Sequence, residues 1–500
     1  MGIDQLNFSA DMLAIALLCV VLCIFYCKKR KSDSLPPGPA PWPLIGSLHL
    51  LGQHETPFQA FTALSKIYGD FFSITLGSSR CIVVNNFDLI REVLITKGKD
   101  FGDCPNFQRF HRLFGGDRNN SLALCDWSDL QKKRRSIARS YCDPKCTSLK
   151  FDNANVVAIN EMDLFMNELQ KLPMNEPVDL KTVVLQACAN MFTQYMCSTR
   201  FSYQDEDFRR AVRHFDEIFW EINQGYAVDF MPWLKPFYEG HMKKLSFWAQ
   251  EIRTFILERI IDSHKRTIDY NSTPRNFTDA LLMQLQEDST LNWEHIMFEL
   301  EDFIGGHSAV GNLVMVTLAA LVKYPHVAKR IRKEVDTVTK NERIPNLYDR
   351  ANMPYTDCVL WETLRKSSSP IVPHVASDKT ELQGYDIPKG TTVFINNYEL
   401  NVGKQYWKNP EEFMPERFLS PTGVVVKPTH FIPFSTGKRT CIGQKLVQSF
   451  SSVIIASLLQ KYDITGGSDV ELRVGSMAVP PDCFKLILTP RKAPTIPEEE

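Results

Sequence analysis

The sequence lacks a charge imbalance: lysine and arginine together number 57, aspartate and glutamate 58, and the formal net charge is −1. A nucleic-acid-binding domain usually carries a clear positive excess, so this balance gives no reason to expect nucleic acid as a partner. The sequence also lacks regular cysteine spacing, because its 13 cysteines are odd in number and scattered along the chain. This argues against a disulfide framework and indicates reduced, buried thiols in a reducing compartment.

Internal repeats are absent too, and no low-complexity linker follows Gly46. With 44% hydrophobic and 23% charged residues among 500, the chain is globular with a sizeable core rather than disordered. Strand patterns are few: residues 71–76 and 81–84 flank a Gly-Ser-Ser break and predict a hairpin, and strands return near 391–395 and in the C-terminal tail. Helical patterns occupy most of the rest, so we predict one large, mainly α domain with small β-sheets.

The N-terminal region contains an apolar run without charge, residues 12–27, which is followed at once by four basic residues at 28–31. A secretory signal peptide would carry its positive charges before the run. Here they follow it, so the positive-inside rule predicts an uncleaved membrane anchor with the body of the protein in the cytosol. Five prolines between positions 36 and 43 then predict a stiff, extended spacer. We divide the chain into an anchor with its basic flank (1–31), a proline-rich hinge (32–50) and the large domain (51–500).

One cysteine, Cys441, lies in a distinctive stretch, residues 431–443, which reads Phe-Ile-Pro-Phe-Ser-Thr-Gly-Lys-Arg-Thr-Cys-Ile-Gly. Two glycines bracket it, and an apolar helical pattern follows. Glycines allow a tight turn whose backbone N–H groups point at a sulfur, and such donors, a nearby cation and a helix start favour thiolate over thiol. A thiolate in a dry pocket suits the iron of a haem. The plainer alternative is a buried cysteine in a glycine turn.

This stretch resembles the haem-ligand loop of the cytochrome P-450 family, in which Phe, Gly, Arg, Cys and Gly recur at fixed spacing. Those five positions are filled here by Phe434, Gly437, Arg439, Cys441 and Gly443. The resemblance implies the cytochrome P-450 fold, with haem b as cofactor, Cys441 as the axial metal ligand and the other four residues as cofactor-binding. Arg439 is the expected partner of a haem propionate. In the same family order, the proline-rich hinge is similar to the one that follows the anchor of microsomal members.

A second motif supports the resemblance on the proximal side of the expected haem. Glu362 and Arg365 stand one helical turn apart, and Arg417 lies in a Pro-Glu-Arg-Phe run before the cysteine loop. The resemblance implies that these three residues form the family's Glu–Arg–Arg network. Their expected role is structural: buried, mutually satisfied charges on which haem incorporation depends.

Two propionate-binding arginines of the family are missing from their usual positions. Trp127 opens a basic helix as in the family, but the arginine expected four residues later is Gln131, and Arg134 is a candidate substitute. The other arginine is replaced by Asp378, for which His374 or Lys379 are candidate substitutes. The resemblance therefore implies that Trp127 and His374 are cofactor-binding, and it leaves open which residues replace the two arginines.

A long helical pattern, residues 293–323, matches the family's oxygen-side helix. Gly305 and Gly306 meet the need for a helix that opens near the haem, and the resemblance implies that Gly306 and Ser308 line the oxygen side. The family's usual acid and alcohol are replaced by Ser308 and Ala309. Ser308 can position a water but cannot cycle a proton as a carboxylate does. His307 has suitable chemistry for moving protons, but its helical phase points it away from the iron.

The segment from Gly305 to Ala309, combined with a standard cysteine loop, is similar to the insect ecdysteroid-biosynthetic members of the spook type. This implies a haem-thiolate monooxygenase that oxidises a sterol early in moulting-hormone synthesis, with O₂ and electrons from NADPH–cytochrome P-450 reductase. Cytochrome b5 is a further candidate partner. The expected location is the endoplasmic reticulum membrane, with the catalytic domain in the cytosol, and residues 229–234 resemble a family linker that commonly touches the lipid.

Two other functions stay open on the sequence. Some relatives that lose the alcohol are electron-independent haem-thiolate isomerases or dehydratases, although those often alter the cysteine loop, which is standard here. The other alternative is a haem protein that binds a sterol without turnover. The sequence does not give the oxidised carbon, the number of oxidation rounds or the proton donor.

Overall fold

The computed structural model describes residues 16–17, 19–20 and 35–491. The predicted anchor and its basic flank lie outside the described residues apart from those four positions, so the anchor stays a prediction. Within the described part of the chain, one helix, Trp293–Lys323, is long and apolar enough to cross a membrane, but 83% of its most apolar window is buried inside the protein. It is a core helix.

Helices make up most of the domain, as predicted. In the part of the chain that the structure describes, the α-helices are α1 (Leu48–Leu51), α2 (Pro57–Tyr68), α3 (Phe87–Arg91), α4 (Gln108–Leu113), α5 (Asp129–Cys142), α6 (Leu149–Leu169), α7 (Leu180–Cys197), α8 (Glu206–Ile222), α9 (Lys235–Ile256), α10 (Asp262–Thr267), α11 (Phe277–Glu287), α12 (Trp293–Lys323), α13 (Pro325–Thr339), α14 (Pro354–Ser367), α15 (Asn397–Val402) and α16 (Gln444–Lys461). Short 3₁₀ turns connect several of them, among them Pro415–Phe418 and Gly437–Arg439.

The strands form three small sheets. They are β1 (Phe71–Leu76), β2 (Ser79–Val84), β3 (Pro177–Val178), β4 (His374–Val375), β5 (Thr380–Leu382), β6 (Tyr385–Ile387), β7 (Thr392–Ile395), β8 (Tyr462–Gly466) and β9 (Leu486–Pro490). The largest sheet has the order β1-β2-β7-β4, the second β3-β9-β8, and the third pairs β5 with β6. The predicted hairpin is confirmed as the antiparallel β1–β2 pair. The strands near 391–395 and in the C-terminal tail are confirmed as β7, β8 and β9, so the predicted mainly α fold with small sheets is correct.

Helix α12 is the centre of the core. It starts with a capping box, in which the Asn292 side chain accepts from the His295 N–H and the His295 ring accepts from the Asn292 N–H. The helix packs along its length against α7, α16 and α14. Because α16 begins directly after the cysteine loop, the α12–α16 contact fixes the loop relative to the glycine segment of α12. Phe192 of α7 joins the two helices: its ring is 5.7 Å from that of Phe450 and reaches the backbone of Gly306.

Candidate functional site

The cysteine loop folds tightly because of its glycine and two backbone hydrogen bonds. Gly437 has φ +74°, and a Cβ at this position would lie 2.1 Å from the carbonyl oxygen of Leu94. The Cys441 N–H donates to the Phe434 carbonyl over 2.9 Å, and the Thr440 N–H donates to the Gly437 carbonyl over 3.3 Å. The chain thus doubles back and delivers Cys441 to a point just before the first turn of α16.

Replacing Gly437 with alanine is expected to destabilise the haem-loaded protein by more than about 3 kcal/mol, because a left-handed φ and a backbone clash act together. The matched control is Gly423→Ala, since Gly423 has φ +80° but no atom within 4 Å of its would-be Cβ. That control should cost only about 1–2 kcal/mol. Urea unfolding of both variants measures the difference, and equal losses would show that the contact with Leu94 has no importance.

Cys441 is an exposed residue, although burial raises the pKa of its thiol. The N–H groups of Gly443 and Gln444 and the charge of Arg135 act in the opposite direction and lower the thiol pKa. A Cβ at Gly443 would meet no atom within 4 Å, so there is open space beside this glycine.

This arrangement fits the predicted cofactor. As predicted, N–H donors and a cation lie close to the sulfur and lower the thiol pKa, while burial acts in the opposite direction and has the larger effect. A haem iron held by Cys441 would supply a further positive charge that favours the thiolate.

Arg439 and His374, both predicted to bind haem propionates, come together at one stretch of backbone. The Arg439 guanidinium donates to the carbonyl oxygens of Gly102, over 2.8 Å, and of Cys125. The His374 ring donates through Nδ1 to the carbonyl of Phe101 over 2.7 Å, and burial lowers its pKa to about 4. The Nε2 of neutral His374 is therefore an acceptor, so His374 has to gain a proton before it can donate to a carboxylate.

Trp127 lies beside Gly102, whose carbonyl oxygen binds Arg439. Its backbone N–H donates to the carboxylate of Asp103 over 3.3 Å, and a Cβ on Gly102 would lie 2.6 Å from its own Cβ. The Lys438 ammonium lies 5.0 Å from the centre of its ring. The Trp127 residue precedes the helix that it was predicted to open, since α5 starts at Asp129 with Ser128 as its cap.

The suggested substitutes for the two missing arginines need correction. Arg134 donates to the Glu299 carboxylate of α12 over 3.0 Å, and both side chains are almost fully buried, so Arg134 does not replace Gln131. Arg135 does reach the site, where it donates to the carbonyl of Thr440 over 2.5 Å. Burial and the nearby Arg439 lower the pKa of Arg135 to about 10. Sequence reasoning missed Arg135, although an i, i+4 step from Gln131 places it on the same face of the helix.

Asp378 and Lys379 lie at the surface, where they make ion pairs with other residues. Asp378 pairs with Lys389 over 3.4 Å, and Lys379 pairs with Asp386 over 3.0 Å. The suggestion that Lys379 compensates for Asp378 at a propionate is therefore wrong. His374 is the candidate of the two that lies beside Arg439.

The structure brings Glu362, Arg365 and Arg417 together as predicted from their motifs. Arg365 makes a two-pronged contact with the Glu362 carboxylate, with N–O distances of 2.7 and 2.8 Å, and both side chains are completely buried. Arg417 reaches the same carboxylate through Nε over 3.1 Å. The Met414 N–H donates to it as well, over 2.9 Å.

The remaining donors of the network bind backbone carbonyls. Arg365 donates to Asn401 over 2.7 Å and to Pro410 over 2.9 Å, while Arg417 donates to Lys408 over 3.0 Å and to Asn409 over 3.2 Å. This pairing links α14 to the chain that leads into the cysteine loop. Its role in haem incorporation stays a prediction.

Two candidate residues on α12 lie on different sides of the helix. Gly306 is partly accessible, as are Gly305 and Ala309, whereas Ser308 is only 1% exposed. The physical reason is helical phase: residues two positions apart are separated by about 200° around an α-helix, so Gly306 and Ser308 do not share a face. The Ser308 hydroxyl has no hydrogen-bond partner within the described chain. His307 points away from the open side, as predicted, and its ring meets that of Phe215 edge-on at 5.2 Å.

A loop between α4 and α5 joins α12 to the cysteine loop. The Asp302 carboxylate accepts from the backbone N–H of Leu122 over 2.7 Å and from the hydroxyl of Ser121 over 3.0 Å. Burial raises the pKa of Asp302 to about 6. Arg439 donates to the carbonyl of the next residue, Ala123, over 3.4 Å. The loop therefore connects Asp302 of α12 with Arg439 of the cysteine loop.

Comparison with known proteins matches this whole arrangement. The family model described as Cytochrome P450 matches residues 36–488. The chain is 49% identical to Cytochrome P450 307a1 of Drosophila melanogaster over 483 residues, which covers 91% of this chain and 89% of that protein. It is 31% identical to Cytochrome P450 2E1 of Mesocricetus auratus over 506 residues, 97% of this chain and 99% of that protein. It is 28% identical to Cytochrome P450 1B1 of Mus musculus over 491 residues, 93% of this chain and 89% of that protein.

Proposed function

Since this chain belongs to the cytochrome P450 family and is a haem-thiolate monooxygenase of that family, we propose that it oxidises a sterol at an early step of ecdysteroid synthesis. Two similarities support this substrate class: the Gly305–Ala309 segment is like that of the spook type, and identity to the insect relative is 49%, against 31% and 28% for the two mammalian ones. The structural observation that carries it is the partly accessible face of α12. Gly305, Gly306 and Ala309 present nothing larger than a methyl group there, and the rings of Phe215 and Phe192 lie close to the two glycines, so the face is flat and apolar, which suits a rigid ring system.

Apolar side chains pack against α12 beside that face and in the preceding turns of the helix. The ring of Phe215 lies against Gly305, about 3.1 Å from where a Cβ would be. Phe114 and Phe298 pack edge to face, with their ring centres 5.9 Å apart, in a cluster with Phe107 and Phe110. A sterol is almost entirely apolar and would bury most of its surface against such residues.

Different residues near Cys441 would hold different parts of the haem. Bound haem supplies the iron at which dioxygen is activated, and Cys441 is the residue that would ligate it. The N–H groups of Gly443 and Gln444 and the Arg135 guanidinium stabilise negative charge on the sulfur. Arg439 and His374 are held side by side by the backbone of residues 101–102. Arg439 would pair with a haem propionate directly, and His374 would do so after gaining a proton.

We further propose that electrons come from an NADPH-dependent reductase that docks at the positive surface around the cysteine loop. Burial, followed by the charges of Lys99 and Lys132, lowers the pKa of Lys438, so these three ammonium groups lie close together. A cluster of this kind attracts an acidic partner and speeds its association. The same surface is available to cytochrome b5.

The proposed location is the endoplasmic reticulum membrane, with this domain on the cytosolic side. Outside the predicted anchor, the hinge exposes 78% of Leu44, and the start of α9 exposes 82% of Phe237. The hinge and the loop that precedes α9 both contact the β1–β2 turn: Gly46 bridges to Leu76, and the Ser78 N–H donates to the Phe230 carbonyl over 3.3 Å. Exposed apolar side chains of this kind suit contact with a lipid surface.

Incubation of the haem-loaded, full-length protein with a 3-hydroxysterol is expected to give an oxidised sterol only when NADPH, the reductase and dioxygen are all present. Product analysis by mass spectrometry, with each component omitted in turn, is the measurement. Conversion without NADPH would identify an isomerase or dehydratase instead. Sterol binding without any conversion would identify a non-catalytic binding protein.

A further inference from the structure

A strongly basic groove of about 530 Å³ runs along helix α13. The residues that line it are Lys329, Arg332, Lys333, Asp336, Thr337 and Arg491. None of them is apolar, so this α13 groove offers no surface to a sterol or to a lipid chain. Arg491 reaches the last turn of α16, which has 18 residues, so about 27 Å of helix separate the groove from the cysteine loop. The groove is therefore distinct from the positive surface at that loop.

Two guanidinium groups in the groove are held in place by the fold. Arg491 donates to the Leu459 carbonyl over 2.9 Å, which caps α16, and it pairs with Asp336 over 2.8 Å. Arg332 pairs with Asp463, the second residue of β8. Both arginine side chains are less than one-fifth exposed. A ligand therefore meets donors that are already ordered, which lowers the entropy cost of binding.

Positive charge is in excess along the groove. Lys329 and Lys333 are exposed and stand one helical turn apart, a spacing at which like charges destabilise a helix. Within the part of the chain that the structure describes, neither ammonium has an ion-pair or hydrogen-bond partner. Burial, followed by the charge of Arg491, lowers the pKa of Arg332, so the two guanidinium groups also lie close enough to repel each other. A bound anion would relieve both repulsions.

The donors that remain in the groove suit phosphate oxygens. The two ammonium groups are compact charges of the kind that bind phosphate, and arginine contacts its oxygens through a planar fork. Arg332 retains its Nη2 and Arg491 its Nε without a hydrogen-bond partner in the described chain. Lys329 to Thr337 extend over about 12 Å of helix, which is longer than one phosphate group. The two paired aspartates offset only two of the four cations, so the ligand should carry at least two negative charges.

We propose that the α13 groove binds a free oligophosphate, that is, a soluble ligand with two or more linked phosphate groups. Lys329 and Lys333 contact its outer oxygens, and Arg332 and Arg491 contact it from the floor of the groove. Since Arg332 binds β8 and Arg491 directly follows β9, an occupied groove also ties α13 to this pair of strands. The site is independent of the haem and of the proposed sterol oxidation, so the failure of one proposal leaves the other unaffected.

The test is isothermal titration calorimetry of the haem-loaded, full-length protein with inorganic tripolyphosphate. Low-salt buffer should give saturable binding of one ligand per chain, and the affinity should fall as salt is added, because exposed charges are screened. The double variant Lys329→Gln, Lys333→Gln should bind at least about 10-fold more weakly, because charge-assisted hydrogen bonds are lost. Both lysines are exposed, so these substitutions leave the fold intact.

The matched control is Lys235→Gln with Lys243→Gln, which removes two exposed lysines from α9 instead. It changes the net charge by the same amount and should alter the dissociation constant by less than about twofold. Equal weakening in the two double variants would mean that tripolyphosphate responds only to net charge, and it would overturn the proposal. So would the absence of saturable binding at low salt.

The position of the ligand is measured by acetylation of lysines with acetic anhydride, followed by mass spectrometry of the peptides. Tripolyphosphate should slow the acetylation of Lys329 and Lys333 and leave that of Lys235 and Lys243 unchanged. Binding that protects neither lysine of α13 would place the ligand elsewhere and overturn the proposal.

Two other occupants of the groove are outcomes of the same measurements. Phosphatidylcholine vesicles with and without phosphatidylinositol bisphosphate test a lipid headgroup, and protection by the bisphosphate vesicles but not by tripolyphosphate would overturn the assignment to a free ligand. The variant Glu498→Gln, Glu499→Gln, Glu500→Gln tests three glutamates of this chain. Binding of tripolyphosphate by that variant alone would mean that these glutamates compete for the groove, and would overturn the assignment as well.

Discussion

The Cys441→Ala variant is expected to lose both haem-thiolate ligation and all monooxygenase activity. In the intact protein, the reduced, CO-bound form should show the Soret shift typical of a thiolate ligand, because Cys441 is the cysteine of the haem-ligand loop and the N–H groups of Gly443 and Gln444 lie close to its sulfur. Alanine removes the ligand while the loop keeps its glycine turn. The measurement is the absorption spectrum of the reduced, CO-bound variant.

The matched control for this prediction is Cys142→Ala. Cys142 is buried at the end of α5, and its thiol is close enough for Cys441 to contribute, after burial, to the raised pKa of Cys142. Its loss should leave the spectrum unchanged. A Soret shift retained in Cys441→Ala and lost in Cys142→Ala would mean that the ligand has been assigned to the wrong cysteine.

The second large effect is expected from Glu362→Gln. In the unmodified protein, Arg365 and Arg417 share the Glu362 carboxylate at distances of 2.7 to 3.1 Å. The substitution leaves both arginines buried beside a neutral amide. Breaking a buried pair by removing one partner costs about 3–5 kcal/mol, which is a large share of the stability of a typical domain. We therefore expect little or no folded, haem-loaded protein, measured as haem content per mole of purified chain.

A nearby surface carboxylate provides the control for Glu362→Gln. Glu416 is in the turn that also holds Arg417, but it is half exposed and pairs with the half-exposed Arg330 over 2.5 Å. Exposed pairs of this kind contribute at most about 1 kcal/mol, so Glu416→Gln should load haem normally. Normal haem content in Glu362→Gln would show that the network is dispensable.

The cysteine loop and the Glu–Arg–Arg network were predictable because their residues are marked by short motifs. Gly437 is needed for a left-handed φ against a neighbouring carbonyl, and Glu362 and Arg365 are one turn apart on α14. The hairpin was equally predictable, because β1 and β2 are adjacent in sequence and a glycine-containing break separates the two apolar runs. Local patterns of this kind need no knowledge of distant partners.

Predictions that depended on helix rotation were less successful. One residue turns an α-helix by about 100°, so choosing Arg134 instead of Arg135 moved the expected cation from the cysteine loop to Glu299. The same rotation separates Ser308 from the accessible side of Gly306. Sequence periodicity gives the existence of a helix more securely than the direction of one side chain.

A buried ion pair between Lys181 and Asp216, which Asn312 of α12 contacts, could not be found from the sequence at all. Lys181 and Asp216 come from α7 and α8, Asn312 from α12, and Val479 from the C-terminal segment. No spacing relates these four positions, and each residue taken alone reads as an ordinary polar side chain. Only the packing of three helices and a loop brings them into one network.

The most direct measurement of the central claim is the fate of dioxygen labelled with heavy oxygen. The haem-loaded protein is given NADPH, reductase and a 3-hydroxysterol under the labelled gas, and the product is analysed by mass spectrometry. A haem-thiolate monooxygenase ligated through Cys441 predicts one labelled oxygen atom in each hydroxylated product and none when Cys441 is alanine. A product that forms in normal yield without label, or that forms equally well without NADPH, would contradict the account.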